Sequence, residues 1–192
     1  MNSMANKNIV LIGMPAVGKS TIGVVLAKRL GRYFLDTDVF IQAILGRTLQ
    51  EIIDSDGLER FCKIEAEHIC CIDKTTCVIA TGGSAVYSES AMKHLKKIGI
   101  IIYLKLPLEM IKQRLTDLNP VRDKVSEMPD GCQKQSISNG MNVRGVVISK
   151  GQTLDDLYIR RTPLYEKWAD ITIDCQNLTH EQVVEKITAL IT

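Results

Sequence analysis

The sequence predicts an α/β fold, a three-layer sandwich with a parallel sheet between two layers of helices. Three observations lead there. Five short apolar runs alternate with longer stretches of helical periodicity, the pattern of a parallel sheet with crossover helices. The first run breaks into a glycine-rich turn and then a helix. Finally, 192 residues, 45% of them hydrophobic and 24% charged, suit one domain spanning residues 1–192 with one sizeable core.

Asn8 to Ile12 is a β-branched run that stops at Gly13, as a strand buried on both faces would. From Ser20 to Leu30, Ile22, Val25, Leu26 and Leu30 recur at helical spacing, and Gly31 stands where a C-cap belongs. The remaining strands are predicted at Tyr33 to Leu35, Cys77 to Ala80, Ile98 to Leu104 and Ile171 to Ile173. Helices are predicted at Val39 to Leu45, Leu49 to Ser55, Leu58 to Ile72, Ser88 to Lys97, Leu108 to Leu115, Thr153 to Trp168 and Thr179 to Ile191. Thr179 with Gln182 three residues on makes a capping box for the last of them. One interval, Asp117 to Gln152, breaks the rhythm with Pro120, Pro129, Gly131, Gly140 and Gly151 and no clean periodicity. A loop of that length in a compact domain is a lid, a binding loop or a disordered insert.

The charge balance, 24 basic against 22 acidic residues, predicts no nucleic-acid partner, and 5% aromatic residues supply little for stacking bases. The longest apolar runs fall far short of the roughly 18 residues of a membrane span. The first eight residues carry no apolar signal region, so a cytoplasmic location is expected. There the six cysteines, Cys62, Cys70, Cys71, Cys77, Cys132 and Cys175, are expected as thiols. Their spacing matches no zinc site.

The chemistry begins at Gly13, Met14, Pro15, Ala16, Val17, Gly18, Lys19, Ser20. This is GxxxxGK[ST] between a predicted strand and a predicted helix, the context that makes a phosphate-binding loop (P-loop) credible. Glycines let successive N–H groups point inward, and the helix start adds its positive dipole end. Lys19 would reach the β- and γ-phosphates, and the Ser20 hydroxyl would ligate Mg²⁺. The run after Cys77 ends in Thr81, Gly82, Gly83 rather than in a DxxG or an acidic ATPase signature, and no NKxD-like base-recognition motif occurs. These features favour a small-molecule kinase over a GTPase or a motor.

Asp36 and Asp38 follow the second strand, at the carboxyl edge where open α/β sheets bind ligands. Two apart on an extended segment, they would point the same way. Asp36 is then expected at the metal's water shell, and Asp38 at the hydroxyl that accepts the phosphoryl group. The alternative is helix capping by Thr37 or Asp38.

The order of Gly13 to Thr21, Phe34-Leu35-Asp36-Thr37-Asp38, Gly46-Arg47-Thr48, Phe61 to Glu65, Thr81-Gly82-Gly83 and Arg161-Thr162-Pro163-Leu164-Tyr165 closely resembles shikimate kinases over nearly the whole chain. The resemblance implies a P-loop fold with a five-stranded parallel sheet, a substrate-binding region at residues 37–72 and a mobile lid at 117–152. It implies ATP-dependent phosphorylation of the shikimate 3-hydroxyl, a step of aromatic amino-acid biosynthesis, by a monomer. Carried over by position, Gly13, Pro15, Ala16, Val17, Gly18, Lys19, Ser20 and Thr21 would hold the nucleotide. Ser20 and Asp36 would face the Mg²⁺, Asp38 would bind ring hydroxyls and assist deprotonation, Gly82 and Gly83 would line the substrate, and Arg161 would hold its carboxylate.

Two positions depart from the pattern. Where the family has an arginine after the phenylalanine of FRxxE, this chain reads Phe61, Cys62, Lys63, Ile64, Glu65, and Cys62 cannot pair with a carboxylate. Lys63 is then the candidate to bind the substrate in its place, although it lies about 100° further round a helix and lacks the bidentate guanidinium. The triple glycine reads Gly82, Gly83, Ser84. Both changes leave kinase chemistry intact while opening a second reading, a kinase for another polyol or sugar acid. A third is a nucleotide-binding module without turnover. Arg161 itself has an alternative as part of a solvated face with Arg160, paired to Asp156 or Asp170. Phe61 and Tyr165 are expected in the core. In the lid, Arg122 and Arg144 are the two candidates for a catalytic arginine, and Arg114 is a third cation within reach of phosphate.

Overall fold

The computed structural model describes residues 7–117 and 152–191. Arg122, Arg144 and most of the expected lid lie outside the described residues. Five strands, β1 (Asn8–Ile12), β2 (Tyr33–Asp36), β3 (Cys77–Ala80), β4 (Gly99–Lys105) and β5 (Ile171–Asp174), form one sheet in the order β2-β3-β1-β4-β5. Every pairing is parallel. The helices are α1 (Lys19–Leu30), α2 (Thr37–Leu45), α3 (Leu49–Asp56), α4 (Leu58–Cys70), α5 (Glu89–Ile98), α6 (Leu108–Asp117), α7 (Leu154–Trp168) and α8 (His180–Ile191), with a 3₁₀ turn at Ala85–Tyr87.

The central strands are apolar because helices cover both their faces. All five residues of β1 and all four of β3 are buried. The one polar residue of β1, Asn8, is satisfied at the sheet's lower edge: its amide donates to the Lys74 carbonyl at 2.7 Å and its oxygen accepts from the Cys77 N–H at 2.9 Å. A second, small apolar cluster of Ile41, Ile52, Phe61 and Ile64 joins α2, α3 and α4 beside the main core. The expected capping box opens α8, with Gln182 N–H donating to Thr179 Oγ1 at 3.2 Å and Gln182 Oε1 accepting from Thr179 N–H at 2.9 Å.

In this strand order β1 lies between β3 and β4, so the chain leaves β1 toward one edge of the sheet and later returns to build the other. Ligands bind at such a switch, beyond the carboxyl ends of the strands. The turn after β1, the β2–α2 junction and the segment after β3 all meet there.

Candidate active site

The turn after β1 wraps the start of α1. Gly18 is the helix N-cap in a left-handed conformation, φ 103°, and a Cβ there would come within 2.9 Å of His180 Nε2. Lys19 folds back into the loop, its ammonium donating to the carbonyls of Gly13 at 2.8 Å and Met14 at 3.0 Å. Burial lowers its pKa to about 8, against the raising pull of Asp38. From α6, Arg114 donates to the carbonyls of Val17 at 3.0 Å and Ala16 at 3.4 Å, so in this state it braces the loop.

A cleft of about 790 Å³ opens over this loop and is lined by Pro15, Ala16, Gly18, Lys19, Ser20, Thr21, Asp36, Asp38, Thr81, Gly83 and Arg114. Gly13 and Val17, expected with the nucleotide-binding residues, do not line it. Val17 is buried in the core, and Gly13 takes part through its carbonyl on Lys19. The far wall is Leu178, Thr179 and His180 at the start of α8, together with Asp117. These were not singled out as site residues from the sequence, because Thr179 carries a sufficient explanation there as a helix cap.

Asp36 ends β2 and caps α2. Its Oδ1 accepts from the backbone N–H of Asp38 at 3.0 Å and of Val39 at 3.4 Å, and its Oδ2 accepts from the Ser20 hydroxyl at 2.6 Å. The helix therefore starts two residues earlier than predicted, and the cap is Asp36 rather than Thr37 or Asp38. Asp38 sits in the first helical turn, so the alternation argument for a shared direction does not apply, yet both carboxylates line the cleft. Burial, followed by the charge of Asp36, raises the Asp38 pKa to about 6.

The Ser20 and Asp36 oxygens, touching each other at the cleft surface, are a donor set suited to a hard divalent cation such as Mg²⁺, which keeps waters and phosphate oxygens as its other ligands. Among the described residues no group of three or more His, Cys, Asp or Glu is placed to hold a metal ion. No described helix is long and apolar enough to cross a membrane.

The acceptor side is built by the segment after β3 against α4 and α7. The N–H of Gly82 donates to Thr37 Oγ1 at 2.9 Å, tying this segment to the β2–α2 junction. A Cβ at Gly82 would strike Glu65 Oε1 and lie 2.6 Å from Asp38 Oδ1, and one at Gly83 would lie 2.7 Å from an Arg161 nitrogen. A side chain at either position would have to displace the charged side-chain ends that close in on the backbone there.

Arg161 is 2% exposed, which overturns the solvated-face alternative. On α7 the buried positions Leu154, Leu157, Arg161 and Tyr165 form one stripe, so Arg161 points inward while Asp170 pairs with Lys96 instead. Its Nε donates to the Tyr87 hydroxyl at 3.2 Å, its guanidinium lies 5.3 Å from the centre of the Tyr87 ring, and no carboxylate oxygen of the described residues lies within 4.0 Å. Tyr165, fully buried as expected, donates to the Gly83 carbonyl at 2.9 Å.

Glu65 was read only as part of the FRxxE stretch. It is buried on the same face of α4 as Phe61, Ile64 and Ile69, with a pKa raised by burial to about 7 against the opposing Ser84 hydrogen bond. Lys63 points elsewhere: it is exposed and pairs with Glu59 at 2.8 Å. Neither Lys63 nor Cys62 lines the main cleft. Both border a second cavity of about 510 Å³ shared with Ser84 and Tyr87.

The shikimate kinase family model matches residues 15–192. Similar proteins include the shikimate kinase of Thermodesulfovibrio yellowstonii, 38% identical over 94% of this chain and 92% of its own length. That of Haemophilus influenzae is 35% identical over 98% and 94%. Among solved structures, a shikimate kinase from Acinetobacter baumannii in complex with shikimate superposes with a TM-score of 0.73 at 31% identity, over 96% of this chain and 92% of that one.

Proposed function

The chain belongs to the shikimate kinase family, and from that premise we propose that it transfers the γ-phosphoryl group of ATP to the 3-hydroxyl of shikimate. The observation that carries the substrate is Arg161, a buried guanidinium with no ion-pair partner among the described residues. It stands beside the glycine segment across from Asp38. Taking a cation out of water without a counter-ion is costly, and a carboxylated acceptor supplies the counter-ion. Shikimate combines that carboxylate with ring hydroxyls for Asp38.

In this reading the acceptor lies between Arg161 and Asp38, with its hydroxyl aimed at the nucleotide on the P-loop. Asp38 accepts a hydrogen bond from that hydroxyl and takes its proton as the phosphoryl group departs, a role suited to a carboxyl with a pKa near 6. Lys19 exchanges its two carbonyl partners for phosphate oxygens and keeps its charge on the transferring group. Arg114, poised on the loop carbonyls, is a second cation on the donor side. Mg²⁺, held by Ser20 and Asp36, would neutralise charge on the β- and γ-phosphates. A lid arginine, Arg122 or Arg144, belongs to this reading as the group that completes the charge shell. So do a cytoplasmic location and a monomeric state.

A panel assay tests it: ATP-dependent ADP release with shikimate, quinate, gluconate and nucleoside monophosphates. Release with shikimate alone is the expected result. Release with quinate or gluconate and none with shikimate would favour the kinase for another sugar acid that Cys62 raises, and ATP binding without release on any acceptor would favour the non-catalytic module.

A further inference from the structure

Ser84 stands where the family pattern has its third glycine, and it does something a glycine cannot. It is buried, and its hydroxyl donates to Glu65 Oε2 at 2.6 Å. Glu65 is 1% exposed, and its other oxygen, Oε1, has no hydrogen-bond partner among the described residues. That free oxygen packs against Gly82 from the same side as Asp38 Oδ1. Glu65 thus backs the wall from which Asp38 faces the cleft, and the hydrogen bond from Ser84 holds it there.

Beyond Ser84 the packing opens. The second cavity, of about 510 Å³, is bordered by Ser84, Cys62 and Tyr87. Cys62, on the turn of α4 before Glu65, carries a thiol whose own pKa is raised by burial. It offers Glu65 no cation. Without the Ser84 hydroxyl, neither oxygen of this buried carboxyl has a hydrogen-bond partner, which is costly, and the side chain loses the contact that fixes it behind Gly82.

We propose that Ser84 is a positioning residue for the phosphoryl acceptor: its hydroxyl pins Glu65 behind Gly82, and so keeps Gly82 and Asp38 in register with the acceptor. The inference deepens the shikimate kinase reading and rests on it. Nucleotide binding does not depend on this contact, because Ser84 and Glu65 lie on the α4 side of the glycine segment and neither lines the cleft over the P-loop.

The test uses the full chain as wild type, Ser84→Ala, Ser84→Gly, Glu65→Ala and the double variant Ser84→Ala/Glu65→Ala. In the shikimate-dependent ADP-release assay, Ser84→Ala and Ser84→Gly should each raise the KM for shikimate about tenfold, the effect of one hydrogen bond. They should change kcat less and leave the Kd for ATP, measured by calorimetry, within about twofold. An unchanged shikimate KM, or an equal loss of ATP affinity, overturns the proposal. The melting temperatures of ligand-free wild type, Ser84→Ala, Glu65→Ala and the double variant form a double-mutant cycle that needs no acceptor. Removing Ser84's hydroxyl should cost stability in the presence of Glu65 and little in its absence. Additive losses overturn the pairing, and should Glu65→Ala not fold, the KM and Kd of the two Ser84 variants decide. A wild type that releases no ADP with shikimate defeats the kinase reading instead, and the melting cycle still judges the pair.

Discussion

Replacing Arg161 with methionine keeps most of the side chain's volume and removes its charge, and the structure assigns opposite signs to the consequences for stability and for binding. In the ligand-free protein Arg161 is a 2% exposed cation held by the Tyr87 hydroxyl and ring, with no carboxylate of the described residues within 4.0 Å. Exchanging a buried charge for a well-packed apolar group is neutral or stabilising by about 1–4 kcal/mol. The hydrogen bond to Tyr87 offsets about 1 kcal/mol of that, so Arg161→Met should melt no lower than wild type and up to about 10 °C higher. Binding goes the other way. A charge-assisted contact to a carboxylate contributes about 2–3 kcal/mol, so the KM for shikimate should rise roughly 30- to 150-fold. Thermal melts with and without shikimate and an ADP-release assay read both quantities on the same preparation. Shikimate should raise the melting temperature of wild type and scarcely move that of the variant. A variant several degrees less stable than wild type, with an unchanged KM for shikimate, would show Arg161 to be a core arginine and refute the reasoning.

Lys19→Ala should lower turnover by at least about 10²-fold, because the ammonium meets charge that grows on the transferring phosphoryl group; wild-type ADP release in the variant would sink the P-loop assignment. Asp38→Asn should depress kcat far more than it weakens ATP binding, and the wild-type rise in rate through about pH 6, where the carboxyl ionises, should flatten in it; a change in nucleotide affinity alone would move Asp38 to the donor side. Glu65 has a folded-state pKa raised to about 7 from 4.5, so the folded chain binds its proton more tightly than the unfolded chain. The stability this confers is complete below about pH 4.5 and is lost as the pH rises through 7. Ligand-free protein should therefore be more stable at pH 5.5 than at pH 8, by at most about 2 kcal/mol from this group, and a Glu65→Gln variant melted at both values should show less of that dependence.

Much of this fold is legible in the chain itself. The strands at Asn8, Tyr33, Cys77, Ile98 and Ile171 appear within a residue of their predicted starts; for the central β1, β3 and β4 the reason is that a strand buried on both faces has to be a continuous apolar run. The P-loop is legible for a related reason: its geometry needs particular residues at fixed spacing between a strand and a helix. The start of α2 was misplaced because extended strand and helix cap share residue 36. Asp36 ends the ladder with β3 and then turns its carboxylate onto the first N–H groups of the helix, so carrying the extended conformation on through Asp38 hides the cap. His180 escaped notice since nothing local marks a residue that meets the P-loop only through the tertiary fold. Arg122 and Arg144 fall in the interval with no periodicity, where sequence reasoning had named candidates without geometry.

Arg161 and Glu65 differ from these, because their signal was present and pointed against ordinary expectation. Charged residues belong on solvated helix faces, and on that ground a surface role for Arg161 was a fair alternative. The stripe Leu154, Leu157, Arg161, Tyr165 on α7 and the stripe Phe61, Ile64, Glu65, Ile69 on α4 each place one charge among apolar positions. A fold has no use for that arrangement: an isolated buried charge costs free energy that apolar packing would not. The two rule-breaking residues come from helices far apart in sequence and converge on consecutive glycines, Glu65 against Gly82 and Arg161 against Gly83. That convergence is what separates a site from a defect. Both buried charges sit behind consecutive glycines, next to the cleft that Asp38 and Gly83 line, where a ligand carrying a carboxylate and hydroxyls can offset their cost, and the rest of the core is free to follow the pattern of its strands.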